Sequence, residues 1–379
     1  MQAQADTWVP VTGAERLVEF VAGATAEFEV KPGVTGSGIY KEDGTAEIKI
    51  YDGTFRRTWE VKGDDQVCYS SNVETNCYRI EQNSEDPGAF RAVHVDDSKI
   101  YVFRILDEKP KTFERETVAG DNGSFSTPSA AEIAAELANP NSPLGTMNFI
   151  FDYSSFQGNI SGADQANSSR LAFQPGMPYP LTETANLFFR PLFPLIVDQD
   201  VPGPAGFENV EFELGDITYD LSVFNSAPNG IVYGGGLAGL IPTATDDAAG
   251  LDQWLLGPEV IIAVMKPWGV IGAIASHQWD VAGDDDFDTS ITGGQYFYSF
   301  NIKDGWVFGA GPTFSYNHKA SSGNKLTLPL GVGGSKTAII SGRPWKFSLQ
   351  YWYYAESPDN FGPEHQIRLQ ISPVVKLPW

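Results

Sequence analysis

The chain has 379 residues, more than one small core accommodates, so two domains are the starting expectation. With 48 acidic against 25 basic residues its net charge is -23, which argues against nucleic acid and other polyanion partners, because phosphate binding is driven by Lys and Arg. No run approaches eighteen consecutive apolar residues, which excludes a transmembrane helix; a membrane β-barrel, half of whose strand residues are polar, escapes that test.

In chain order, Ala3-Gln4-Ala5 before Asp6 reads as a small-x-small cleavage pattern with no charged or apolar stretch ahead of it, as in an exported chain. Residues 1–106 form a β-rich unit. Short alternating runs such as AEFEV, FRRTWEV, NCYRIEQ and SKIYVFRI are divided by Asp-Gly and Asp-Pro-Gly turns, the pattern of a small antiparallel sandwich or barrel. Only residues 14–22 are candidates for a helix there. The two cysteines, Cys68 and Cys77, are too few for a tetrahedral zinc site and are expected to close a small loop as a disulfide. The segment YKEDGTAEIKIYDGTFRRTWEVKGDDQVCYSSNVETNCYRI resembles a bacterial exported domain of unknown function, a likeness of about forty residues that implies no activity.

Residues 107–144 read as a linker with a short helix at 128–138, Thr127 as its cap, Pro128 in its first turn and Asn139-Pro140 as its stop. So short a helix is marginal alone. It is expected either to pack as a spacer at the periplasmic end of the following barrel or to enter the lumen as a plug. The plug candidates are Glu132, Ile133, Glu136 and Leu137, with the two acids directed at lumen bases such as Arg170, Arg190 or Arg368.

Residues 145–379 carry twelve strands, beginning near 145, 168, 185, 215, 230, 254, 269, 291, 305, 325, 345 and 364. The last alternates for about fourteen residues: Ile367, Leu369, Ile371, Pro373, Val375, Leu377 and Trp379 on one face, Gln366, Arg368 and Gln370 on the other. A strand tilted across a bilayer needs about nine to eleven such residues. Short turns alternate with longer polar connections, Val197–Leu214 among them. The expected fold is therefore all-β: a twelve-stranded antiparallel transmembrane barrel in a Gram-negative outer membrane, preceded by a small β-rich periplasmic domain and a short helix. Short turns belong to the periplasmic side of such barrels, which assigns the amino-terminal domain to the periplasm.

Parity turns Phe149, Phe151, Tyr153, Phe189, Phe193, Phe347, Leu349 and Tyr351 toward lipid, and Asp152, Arg170, Arg190, Asp216, Asp220, Glu259, Lys346, Glu356 and Arg368 toward the lumen. The second set reads either as a satisfied ion-pair network filling a narrow barrel or as the lining of a polar path. Lumen-side glycines, including Gly234-Gly235-Gly236, permit bending or the close approach of another group.

The blocks LANPNSPLGTMNFIFDY, RLAFQPGMPYPL, NLFFRPLFPLI and GIVYGGGLAGLIPTATDDAAGLDQWLLGPEV, with the closing RLQISPVV, resemble an outer-membrane transporter family, also labelled putative MetA-pathway of phenol degradation or neuromedin U. The likeness runs from about Ala138 to the end. It implies a twelve-stranded barrel passing small hydrophobic or aromatic molecules, and brings no set of transport residues. The amino-terminal domain is additional to it.

Signals for catalysis are weak. His94, His277, His318 and His365 lack metal-ligand spacing, and no Gly-x-Ser-x-Gly is present. Asp284, Asp285, Asp286 and Asp288 resemble a calcium loop by charge alone, without the spacing of an EF-hand. The sequence reads as a non-enzymatic, cofactor-free channel or transporter, its partners being outer-membrane lipid and a small-molecule solute. The alternative is a closed barrel anchoring a periplasmic domain that binds its own ligand or partner.

Overall fold

The computed structural model describes residues 8–31, 34–50, 53–71, 73–86, 88–96, 98, 100–106, 128–182, 184–203, 206–283 and 287–379. The chain divides into two compact units, Met1–Ile133 with Ile339–Gly342, and Ala134–Ala338 with Arg343–Trp379. The expected linker 107–127, its Thr127 cap and the cleavage pattern at residues 3–5 lie outside the described residues. Among the described residues no helix is long and apolar enough to cross a membrane.

The first unit contains β1 (Trp8–Pro10), α1 (Ala14–Val21), β2 (Thr25–Lys31), β3 (Val34–Tyr40), β4 (Thr45–Ile50), β5 (Gly53–Lys62), β6 (Gln66–Ser70), β7 (Thr75–Asn83), β8 (Ala89–His94) and β9 (Ile100–Leu106). From β2 onward each strand pairs antiparallel with the next, and β9 returns to β2 through Thr25↔Leu106 and Ala26↔Ile105. Eight strands thus close on themselves, with β1 laid along β7. Strand alternation fixes the inside. On β5, Phe55, Arg57 and Trp59 are buried while Thr54, Arg56 and Thr58 are exposed. Leu17, Ile48, Val67 and Ile80 are fully buried beside them, each contributing about 1.5–3 kcal/mol. Cys68 and Cys77 are register partners on β6 and β7 and form a disulfide.

After α2 (Ala130–Ala138) come β10 (Gly145–Gln157), β11 (Asn167–Pro180), β12 (Ala185–Gly203), β13 (Gly206–Leu214), β14 (Ile217–Ser226), β15 (Ile231–Ile241), β16 (Gln253–Lys266), β17 (Gly269–Gly283), β18 (Ser290–Asn301), β19 (Trp306–Ala310), β20 (Thr313–Asn317), β21 (Leu326–Ile340), β22 (Arg343–Glu356) and β23 (Gly362–Val375). Pairing runs antiparallel around the ring and closes where β10 meets β23. Two strands do not count as separate staves. β19 and β20 are one stave interrupted at Gly311-Pro312, both pairing with β18 and β21. β13 folds back along the overlong end of β12, from Leu195↔Leu214 to Gly203↔Gly206. The result is a closed, twelve-stranded antiparallel barrel, each stave starting within two residues of its expected position.

The outer face is apolar: Phe149, Tyr153, Phe189, Phe193, Val260, Ile262, Phe347, Leu349, Ile367 and Ile371 are all exposed. A charge there would cost about 2–4 kcal/mol at a bilayer midplane, which accounts for its absence from these positions. The closing strand departs from expectation at its end. Regular pairing stops at Val375, and Leu377, expected on the outer face, turns inward. There it fills the space that a side chain at Gly145 would need, its Cγ 2.7 Å from an added Cβ. Trp379 returns to the surface, its Nε1 donating to the Pro178 carbonyl at 2.9 Å.

Candidate functional site

The barrel's inner face is built in rows, because directly paired residues on neighbouring strands point the same way. One row runs Arg170↔Asp152↔Arg368↔Gln350 across β11, β10, β23 and β22. Asp152 is 4% exposed and accepts three hydrogen bonds, from Arg368 Nε at 2.7 Å, Arg368 Nη2 at 2.8 Å and Arg170 Nη2 at 2.8 Å. Arg368 also lies over the ring of Trp352, 4.4 Å from its centroid, and Trp352 is fully buried. Beside them Tyr354 donates to Gln366 Oε1 at 2.8 Å. A second pair, Arg190 to Asp220 at 2.7 Å, joins β12 and β14. Glu259 accepts from Ser222 Oγ at 2.8 Å across β15, where the intervening residue of the row is Gly236.

Between this polar layer and the end of the barrel that carries the short turns lies a cavity of about 320 Å³. One wall is apolar, with Phe188, Phe224, Ile274 and Phe297. These belong to a cluster in which Phe188 and Phe224 stack at 5.0 Å between ring centroids and Val232, Ile261, Ala263 and Val270 are buried. The other wall is polar, with Asn148, Lys346, Ser348, Gln350, Gln370 and Ser372. Ala134, Leu137 and Ala138, the second half of α2, complete the lining, and Ala138 packs on the apolar cluster. The segment after the helix is pinned to the wall: Asn141 Nδ2 donates to the Thr184 carbonyl and to Ser226 Oγ, each at 2.8 Å, and Asn186 Nδ2 donates back to Asn141 Oδ1 at 3.0 Å.

The interrupted stave borders the same cavity. Between Phe308↔Gly334 and Ser315↔Thr327 side chains replace the ladder. Tyr296 and Tyr298 donate to the carbonyls of Pro329 and Gly331 at 2.5 and 2.7 Å, and Gln295 Nε2 donates to Gly311 O at 2.7 Å. Gly311 N in turn donates to Gln350 Oε1 at 3.0 Å. Backbone groups that Pro312 leaves without strand partners are thereby satisfied.

The helix acids do not meet the lumen bases. Glu132 belongs to the first unit, where its carboxylate takes two bonds from Arg57, Nε at 2.7 Å and Nη2 at 2.5 Å. Both side chains are buried. Glu132 also accepts from Ser129 N at 2.9 Å while its own N–H donates to Ser129 Oγ at 3.1 Å, a reciprocal capping box. This is why α2 begins at Ala130 instead of 128. Glu136 instead accepts from Asn139 Nδ2 at 3.0 Å. Ile133 belongs to the first unit and is fully buried, while Leu137 lines the barrel cavity.

Three of the acids read from sequence lie away from the cavity. Asp216 accepts from the backbone N–H groups of Thr243, Ala244 and Leu251 at 3.0, 3.0 and 2.7 Å, and so shapes the Pro242–Trp254 loop block. Glu356 ends β22 and borders a shallow depression with Tyr316, Lys325 and Asp359. Asp288 is exposed and pairs with Lys319 at 2.7 Å; that lysine holds its carboxyl below the usual range. Asp284, Asp285 and Asp286 lie outside the described residues, and among the described residues no cluster has metal-ligand composition. The fold joins two histidines that sequence spacing kept apart: Thr292 Oγ1 lies 2.7 Å from His277 Nδ1 and 2.8 Å from His318 Nε2.

No family model matches the chain, and no curated protein does. Among solved structures the chain is similar to the COG4313 outer membrane channel from Pseudomonas putida F1, at 16% identity over 61% of this chain and 94% of that one, with a TM-score of 0.45. It is similar to LpxR from Salmonella typhimurium at 13% identity, 60% and 99% coverage and a TM-score of 0.35. For the Pseudomonas putida toluene transporter TodX the figures are 9%, 96%, 92% and 0.33. At such identities and scores these likenesses identify neither a family nor an activity.

Proposed function

We propose that the chain is an outer-membrane channel or transporter for small molecules with a substantial apolar part, its amino-terminal domain in the periplasm and residues 134–144 gating the lumen. The observation that carries this reading is the cavity itself: a solute-sized space inside a lipid-facing barrel, walled by phenylalanines on one side and by amides, hydroxyls and an ammonium on the other. Binding sites for small organic molecules combine an apolar surface with placed polar groups, and here the polar share of the lining is the larger. The barrel's short turns are on the side where β10 begins and β23 ends, which is the periplasmic side in such barrels and supports the orientation.

The test is uptake by liposomes and conductance in planar bilayers, for the whole chain and for a variant lacking residues 134–139, which keeps Glu132 for Arg57. Low conductance from the whole chain and a clear rise on deletion, with uptake of a neutral aromatic such as toluene, is the expected pattern. Silence from both proteins in both assays removes the channel reading. One observation favours the rival, a closed barrel anchoring a periplasmic ligand- or partner-binding domain: the Arg170–Asp152–Arg368 layer with Trp352 fills part of the lumen with well-satisfied side chains. Silence in both assays is the outcome that rival expects.

A further inference from the structure

The charge inside the cavity runs against the charge of the chain. The protein carries a net -23, yet the charged residues lining the lumen cavity are Arg190, Lys346 and Arg368, and no carboxylate is among the described residues that line it. The two arginines are already committed, to Asp220 and Asp152. Lys346 is not: among the described residues it forms no ion pair, and its cross-strand partner is the small hydroxyl residue Ser372. An ammonium held inside a barrel wall, away from bulk water, is costly unless an anion accompanies it. Asp152 and Asp220, which balance the lumen arginines, are not among the described residues that line the cavity.

The opposite wall sets the rest of the ligand. Phe297, with the edges of Phe188, Phe224 and Ile274 that are otherwise buried in the cluster behind, lines the side of the cavity away from Lys346 and suits a ring or branched chain. A neutral hydrocarbon would leave the ammonium unmatched, and a simple inorganic anion would leave the aromatic wall unfilled. We propose that the lumen cavity is a binding site for small amphipathic organic anions, a carboxylate on an aromatic or compact aliphatic body, with Lys346 receiving the anionic head. The inference deepens the channel reading and rests on it for the route by which the ligand arrives, not for the binding itself.

Binding to the whole chain in lipid nanodiscs, followed by calorimetry, separates the possibilities with benzoate, benzyl alcohol and chloride as probes. Benzoate is expected to bind tighter than benzyl alcohol. In K346Q that advantage should fall by about tenfold or more, the scale of one hydrogen bond to a charged group, whereas K346R should keep most of it. Benzyl alcohol should bind all three proteins alike and so reports an intact cavity. Benzoate binding no tighter than benzyl alcohol in the unaltered protein overturns the proposal, with or without a foldable variant. So does a K346Q protein that retains the full preference, or chloride displacing benzoate completely at equal concentration. Benzoate binding that depends on Lys346 without any uptake leaves this site standing and removes the channel reading; toluene uptake without a preference for the anion does the reverse.

Discussion

An arginine set between Phe55 and Trp59 on the inner face of β5 has to find an anion, and the one it finds is 75 residues away, at Glu132. Burial opposes the charge on Arg57, but Glu132 outweighs it and holds the guanidinium protonated beyond its ordinary range. Removing one partner of such a pair leaves the other charge buried and alone. Arg57→Ala is therefore expected to destabilise the first unit by about 3–5 kcal/mol, while the double change Arg57→Met with Glu132→Leu should cost much less. Amide exchange in β5 and β6 of the whole chain reads both; equal losses would show that the pair is not a coupled unit. Nearby, burial pushes the Tyr69 hydroxyl well above its usual value. A neutral group whose pKa rises on folding gives stability that is complete below its unfolded value, about 10, and is lost as the pH climbs past it. Tyr69→Phe should flatten the alkaline limb of the first unit's unfolding profile. The burial of Arg57 was legible, since the alternation of FRRTWEV puts it inside. Its partner was not, because nothing in the spacing of Ser129 and Glu132 says which base the glutamate meets.

At the scale of elements, Gly236 shows what a glycine on a lumen row does. It sits between Ser222 and Glu259, and a Cβ there would lie 2.1 Å from the Leu221 carbonyl and 2.4 Å from Ser222 Oγ. The sequence suggested bending or room for a visitor, and the space is taken by the neighbouring strand and by a hydrogen bond crossing β15. Gly236→Ala should force Ser222 aside and leave Glu259, 3% exposed, short of its donor, a loss of about 1–3 kcal/mol. The temperature at which the barrel loses its compact mobility in detergent gels is the measurement; an unchanged temperature would mean that β14 yields freely. The staves were readable because lipid demands a strict period of two on one face. β13 was not, because Gly206–Leu214 is acidic and mostly exposed, so neither lipid nor a core imposes a pattern on it. The ion-pair row was half legible. Parity gave the set Asp152, Arg170 and Arg368, but only the register between β10 and β23, set across more than half the chain, makes them one triad.

For the whole molecule the two units differ in how their strands find one another. In the first, every pairing except those of β1 and of β2 with β9 joins strands adjacent in sequence, and the disulfide spans nine positions. In the second, closure depends on β10 meeting β23, and the bond between Asp152 and Arg368 joins residues 216 apart. Entropy makes the local contacts fast and the distant one slow.

That last seam is also a clock. A ribosome and export machinery deliver β10 long before β23, so the first stave must wait with a bare edge for as long as the intervening chain takes to arrive. An unfinished barrel then carries two open edges, at β10 and at β22, each a template for pairing with another chain. A chain truncated after Glu356 should consequently form the Cys68–Cys77 bond and a protease-resistant first unit, yet yield no compact barrel on detergent gels at any temperature. A heat-resistant barrel from that truncated chain would mean that eleven staves close without the twelfth. Otherwise the first unit stands finished while the barrel is still open at both edges.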